Sequence, residues 1–195
     1  MVNRRMWRHG LSTYARGRVQ DESDEVVGVR YWTRLRISGV VVTLQADLTA
    51  ELGVRLKPMG YRKRRYNWYR LGPNLYSVVN VQKSDWGDRW YLNIGFAGAD
   101  QVPSGWRPSH QCGVGFRAES IKSIPVESLH LLAGELRQSL GADAWREAVA
   151  EQIVAPLAEI LEQAHDVDGL KQVLRQHVND QVALYLDGQR LLGDS

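Results

Sequence analysis

Residues 59–95, MGYRKRRYNWYRLGPNLYSVVNVQKSDWGDRWYLNIG, decide the fold of this chain. The stretch falls into three blocks. A basic-aromatic block from Tyr61 ends in Trp68-Tyr69-Arg70; a second runs from Val79 through Gln82 to Ser84; a third runs from Tyr91 through Asn93 to Gly95. Leu71-Gly72-Pro73-Asn74 is a turn signal between the first two. Ser84 to Asp88 is the turn between the second and third, with Gly87 able to take a positive φ. The spacing predicts strands over 61–70, 76–83 and 89–97, paired as an antiparallel meander. In the third strand Trp90, Leu92, Ile94 and Phe96 share one parity and Tyr91, Asn93 and Gly95 the other. The apolar parity is the one expected to lie under helices.

Upstream, Leu44, Leu48 and Leu52 recur at helical spacing, and Pro58-Met59-Gly60 ends the pattern, so a helix is predicted over about 43–57. Gly53 sits inside it. Earlier still, residues 26–37 alternate in the manner of a strand. Residues 1–25 read as a basic irregular segment closed by the acidic run Asp21-Glu22-Ser23-Asp24-Glu25, and residues 26–195 as one domain. Downstream, residues 98–111 are loop-like, a further strand is expected near 112–118, and Pro125 opens a helical half. Leu129, Leu132, Leu136 and Leu140 form one apolar stripe. Trp145, Val149, Ile153, Leu157 and Ile160 form a second, with Pro156 predicting a kink or break. Leu170, Val173, Leu174, Val178 and Val182 form a third. Strands followed by helices define an α+β fold: an antiparallel sheet of four or five strands, packed by a helix before it and by a helical C-terminal half.

The formal net charge is +3, but its distribution is uneven. Residues 1–20 hold five arginines and no acid, and residues 143–195 hold ten acids against four bases. Such polarity steers charged partners. Seven Trp and eight Tyr against two Phe favour amphipathic surfaces and interfaces over a plain core. A single cysteine, Cys112, excludes an internal disulfide framework and fits a reducing compartment. The chain shows neither an apolar run of membrane-spanning length nor a secretion signal, so a cytoplasmic setting without membrane attachment is expected.

The order of a helix, Gly60-Tyr61-Arg62-Lys63, Trp68-Tyr69-Arg70, Asn80-Val81-Gln82-Lys83-Ser84 and Tyr91-Leu92-Asn93-Ile94-Gly95 resembles the domain of unknown function 4304 family of bacterial proteins, over about residues 41–175. The resemblance implies an α+β fold with an antiparallel sheet and implies no activity. Some small bacterial domains of this kind accompany toxins or defence systems, an analogy at family level.

Candidate chemistry is sparse. His110-x-Cys112 supplies two ligands where a structural zinc site needs four. Gly113-Val114-Gly115 lacks the third glycine and the βαβ setting of a dinucleotide loop, and no nucleophile elbow is present. Asp85 and Asp88 flank a turn, where carboxylates serve backbone geometry. Gln82 and Asn93 either hydrogen-bond across strands and fix register, or line a cleft on the second sheet face with Tyr91 and Arg70. On one continuous strand, Arg62, Arg64, Tyr66, Trp68 and Arg70 would share a face, with Arg65 beside them. Arginine with Trp and Tyr is the side-chain chemistry of protein interfaces; it also suits nucleic acid, where cations meet phosphates and rings stack on bases; an edge strand kept soluble by its charges is the third reading.

The sequence therefore points to a non-enzymatic protein-binding module, of an immunity or defence-accessory kind, needing no cofactor. Its expected contact residues are Arg62, Arg64, Arg65, Tyr66, Trp68, Arg70, Gln82, Lys83, Trp86 and Asn93. Nucleic-acid binding through residues 1–20 and 61–70 is the alternative reading, and an enzyme using the Gln82/Asn93 cleft a third.

Overall fold

A computed structural model describes residues 44–193. The strand expected over 26–37 and the basic and acidic segments before it lie outside the described residues. Helix α1 spans Leu44–Leu56. It is followed by strands β1 (Arg62–Arg64), β2 (Asn67–Leu71), β3 (Leu75–Lys83), β4 (Trp90–Gly98) and β5 (Val114–Arg117). Helices α2 (Gly134–Leu140), α3 (Ala142–Val149), α4 (Ala155–Gln163) and α5 (Val167–Gln176) come next. The short strand β6 (Ala183–Leu184) and helix α6 (Leu186–Leu192) close the described chain. The strands form one antiparallel six-stranded sheet in chain order, and the helical excursion is inserted between β5 and β6. The fold is α+β, as expected, with six strands rather than four or five.

Within the described residues two strands are added to those expected: β6, and one that comes from a correction. Residues 61–70 are not one strand but a hairpin: Arg64 pairs with Asn67, leaving Arg65-Tyr66 as a two-residue turn. Arg65 takes φ 55°, a left-handed conformation more usual for glycine or asparagine. The reversal changes which residues share a face. Arg62 and Arg64 lie on the same side as Tyr69 and Asn67, whereas Lys63 lies on the side of Trp68. Arg62, Arg64, Tyr66, Trp68 and Arg70 therefore do not form one surface.

One sheet face carries Trp68, Val79, Val81, Trp90, Leu92, Ile94, Phe96, Val114 and Phe116 into the main core. The partners of β4 on this face are as its alternation requires. Leu44, Leu48, Leu52 and Leu56 of α1 pack there, as do Trp145, Val149, Ile153, Leu157 and Ile160. Each large apolar side chain taken from water contributes about 1.5–3 kcal/mol before the entropy cost of ordering it. Trp68 lies over the backbone of α1. A Cβ on Gly53 would stand 2.5 Å from its ring, so the glycine provides the ring's seat, and the indole N–H donates to the Thr49 carbonyl at 3.0 Å.

The helical half departs from simple stripes in two places. Residues Val126–Leu132 form a 3-10 helix, and Ala133 bridges to Arg89 before α2 begins. Leu129 and Leu132 are thus buried from a different element than the partly buried Leu136, and Leu140 is exposed. The missing N–H and the ring of Pro156 predicted a kink or break, and a π turn over Ala150–Val154 joins α3 to α4 there. Helix α1 is held to α2 and α3 by a buried carboxylate. Asp47 accepts from Arg137 Nε at 2.9 Å and from the adjacent Nη2, and its other oxygen lies 3.2 Å from Arg146 Nη2. The hydrogen bond to Asp47 raises the Arg146 pKa.

Candidate functional site on the open sheet face

The second face of the sheet is divided by its own sequence. On β3 the residues of this parity run Tyr76, Val78, Asn80, Gln82; on the antiparallel β4 they run Tyr91, Asn93, Gly95, Ala97. The apolar ends meet, and the polar ends meet. Residues 99–113 cover the apolar half. Val102, Trp106 and Cys112 pack with Tyr69, Tyr76, Val78 and Ala97 in a second core. Trp106 meets Tyr69 edge-on, with ring centres 5.2 Å apart. Tyr76 Oη donates to the Arg107 carbonyl at 2.7 Å, and burial raises its pKa. Gly95 permits this cover, since a Cβ there would stand 2.9 Å from Cys112 Sγ. Burial also pushes the Cys112 thiol up to about 12, opposed in part by Arg107. The thiol is protonated at neutral pH and its hydrogen is directed at the Pro108 carbonyl, 3.6 Å away, which leaves it a poor nucleophile.

The polar half is open. A single cross-strand row of side chains, Asn67, Asn80, Asn93 and Arg117, runs over β2, β3, β4 and β5 in register. Arg117 Nε donates to Asn93 Oδ1 at 3.3 Å. Asn93 Nδ2 donates to Asn80 Oδ1 at 3.1 Å and to Gln82 Oε1 at 2.9 Å. Asn80 Nδ2 donates to Asn67 Oδ1 at 2.9 Å, and Asn67 Nδ2 to the Arg64 carbonyl at 3.1 Å. The row floors a cleft of about 820 Å³, whose walls include Trp106, His110, Glu119, Gln181 and Tyr185. That volume lies in the range of roughly 300–1,000 Å³ usual for ligand sites. The Arg117 guanidinium stacks 4.4 Å from the ring centre of Tyr91, with Arg89 6.0 Å away on the same ring.

The two hairpin tips frame this end of the sheet. The Arg65-Tyr66 turn is tied to β3 by the Val81 N–H on the Tyr66 carbonyl at 2.9 Å. The β3–β4 tip carries Trp86, which is 98% exposed. The Arg64 guanidinium lies 4.9 Å from the centre of the Trp106 ring. Of the residues expected from sequence, Arg64, Gln82 and Asn93 lie on the open face, and Arg65, Tyr66 and Trp86 lie in the two hairpin tips at the same end of the sheet. Arg62 faces the same side but lines a smaller cleft of about 300 Å³ with Tyr69 and Arg70.

Three expected residues are placed elsewhere. Trp68 is 2% exposed in the main core, because the hairpin turn puts it on the helix side. Arg70 shares that side and donates from Nη2 to the Leu161 carbonyl at 3.3 Å, its guanidinium 5.1 Å from the Tyr61 ring centre. It does not join Gln82 and Asn93 in their cleft. Lys83 lies over Trp90, 5.9 Å from its ring centre, again on the helix side. Sequence reasoning missed Asn67, Asn80 and Arg117 as members of the row and Trp106 as its wall. A signal existed: Asn67, Asn80 and Asn93 are each 13 residues apart, the period of the meander. Gln82 and Asn93 bond across strands and also line a cleft, with Arg117 and Trp106 rather than with Tyr91 and Arg70. Among the described residues, no group of three His, Cys, Asp or Glu side chains is placed to hold a metal ion, and no helix is long and apolar enough to cross a membrane.

An antiparallel meander under helices, with a polar cleft on its free face, defines the described residues as an α+β fold built around one sheet. The chain belongs to the domain of unknown function 4304 (DUF4304) family, whose description matches residues 52–162, more than half of its length. No curated protein and no solved structure matches it.

Proposed function

We propose that this domain is a non-enzymatic binding module that docks a partner protein on the amide-floored end of its open sheet face. The observation that carries this reading is the gathering, at one end of the sheet, of arginines, exposed aromatic rings and a row of cross-strand amides. Arg64 and Arg65 bring cations, and Trp86 stands free of packing at 98% exposure. Trp, Tyr and Arg are the residues that dominate interface energetics, above all where neighbouring polar groups are pre-positioned. The amide row supplies such groups at fixed spacing.

The test is recovery of the tagged full chain from its native cells, with and without nuclease. A stoichiometric protein that survives nuclease, and that is lost from the Arg64→Glu/Arg65→Glu and Trp86→Ala variants with unchanged unfolding midpoints, is the expected result. A partner retained equally by both variants removes this surface from the interface. Recovery of nucleic acid, or of proteins released by nuclease, replaces the reading with nucleic-acid binding, for which affinity falls steeply with salt.

A further inference from the structure

The direction of every hydrogen bond in the amide row is fixed by its two ends. Arg117 Nε only donates, so Asn93 must present its oxygen to it. The Arg64 carbonyl at the other end only accepts, so Asn67 must present its nitrogen. Each amide oxygen between is therefore engaged by the next nitrogen in the row, and the Gln82 oxygen is engaged by Asn93. What the row leaves unused is mostly donors, although each amide oxygen keeps a second lone pair. Asn93 spends both N–H bonds, but Asn67 and Asn80 each spend one of two, and Gln82 Nε2 and the terminal nitrogens of Arg117 spend none. The cleft floor is thus a donor surface with a positive charge at one end.

The wall adds the opposite chemistry. Glu119 lines the cleft, and its Oε2 is shielded from solvent with no hydrogen-bond partner. A carboxylate in the wall with no donor of its own favours a ligand that brings an N–H to it. A nucleic-acid backbone offers phosphates, which suit the floor but repeat an anion at every step and bring no N–H to Glu119. A polypeptide offers carbonyl oxygens for the floor and N–H groups for the wall.

We propose that the cleft takes a short acidic polypeptide segment, with a carboxylate on Arg117, backbone carbonyls on the free amide hydrogens of Asn67, Asn80 and Gln82, and an N–H on Glu119. This rests on the reading of the domain as a protein-binding module and names the part of the partner that enters the cleft. Trp106 and Tyr185 add aromatic surface to the cleft lining.

The experiment selects phage-displayed random dodecapeptides on the full chain and titrates a synthetic selected peptide into isotope-labelled protein. Selected peptides carry Asp or Glu, and they shift the side-chain amide resonances of Asn67, Asn80 and Gln82. Gln82→Glu keeps the oxygen that Asn93 needs and turns the donor into an anion; it weakens the peptide by about tenfold or more, as loss of a hydrogen bond in a charged site does. Arg117→Leu also weakens the peptide, and Gln82→Glu leaves the unfolding midpoint unchanged. Selected peptides without a carboxylate, binding unchanged in Gln82→Glu, or shifts confined to Trp86, Arg64 and Arg65 overturn the cleft proposal while leaving the partner reading intact. Selection of no peptide, or a short oligonucleotide shifting the same amides in its place, overturns it too. The partner reading fails separately, through the recovery experiment with the Arg64, Arg65 and Trp86 variants.

Discussion

Gly53→Ala should destabilise this protein even though it removes a glycine from the interior of a helix. In an open helix the change stabilises by about 1 kcal/mol, because alanine loses less backbone entropy. Here the new Cβ would stand 2.5 Å from Trp68 Cζ2 and 3.0 Å from Cη2, where ordinary contact begins near 3.4 Å. The ring has to retreat by about 0.9 Å. It has little freedom to do so, being 2% exposed and tied by its N–H to the Thr49 carbonyl at 3.0 Å. Overpacking of this kind costs roughly 1–3 kcal/mol, so the net expectation is a loss of up to about 2 kcal/mol, read as a lower urea midpoint with unchanged slope. The reasoning makes a sharper demand on the double variant. Trp68→Ala alone removes a large core side chain and costs about 3–5 kcal/mol. With the ring gone, Gly53→Ala should become stabilising by its helix propensity of about 1 kcal/mol. The same substitution thus changes sign with the background. A Gly53→Ala variant more stable than the parent, or a penalty of equal size in both backgrounds, would refute the claim that the glycine seats the indole.

Asp47→Ala should cost roughly 2–4 kcal/mol in urea unfolding, because it strands the partly buried Arg137. The figure falls short of the larger values for fully buried pairs, since Arg137 and Arg146 reach solvent. Cys112 gives a pH dependence of defined sign. Its thiol titrates near 9.0 ordinarily and at about 12 in the fold, so its contribution is complete below pH 9 and is lost as pH rises toward 12. Cys112→Ser should flatten part of that alkaline decline, and native Cys112 should resist iodoacetamide at pH 8 until urea is added; rapid alkylation of the folded chain would contradict its burial. Arg65→Gly relieves a left-handed residue and should raise stability by roughly 1 kcal/mol while weakening partner capture; a stability loss would show that the turn is held by the arginine side chain.

Much of the fold was legible because it rests on periodicity. The apolar parity of β4, the leucine spacing of α1 and the stripe from Trp145 to Ile160 all point to the main core, and they lie there. The first strand was misread for a physical reason. A two-residue hairpin turn is normally announced by Gly or Asn at the positions of positive φ, and here Arg65 occupies one of them at φ 55°. Without that cue Arg62 to Arg70 reads as unbroken, and the parity of everything before Asn67 is inverted. The site was half legible. Gln82 and Asn93 could be singled out as polar residues in apolar strands. Their neighbours Asn67, Asn80 and Arg117 depend on register, which is a property of four strands together and not of any local stretch.

The sheet's free face shows how one alternation can encode two surfaces. Along β3 the outward residues change from Tyr76 and Val78 to Asn80 and Gln82, and along β4 the change runs in reverse. Antiparallel pairing brings like to like, so the boundary needs no further instruction. The apolar half is closed by residues 99–113, and Gly95 makes room for Cys112 beneath that cover. On the other half, asparagine is a poor strand former, and the hydrogen bonds within the row return only part of what better strand residues would contribute. At the same end an arginine holds a left-handed turn and a tryptophan stands in solvent. Costs that concentrate at one end of an otherwise consistent fold are where local rules yield to another demand. Here the groups that bear those costs, cations, donors and exposed rings, are also the ones that recognise a partner.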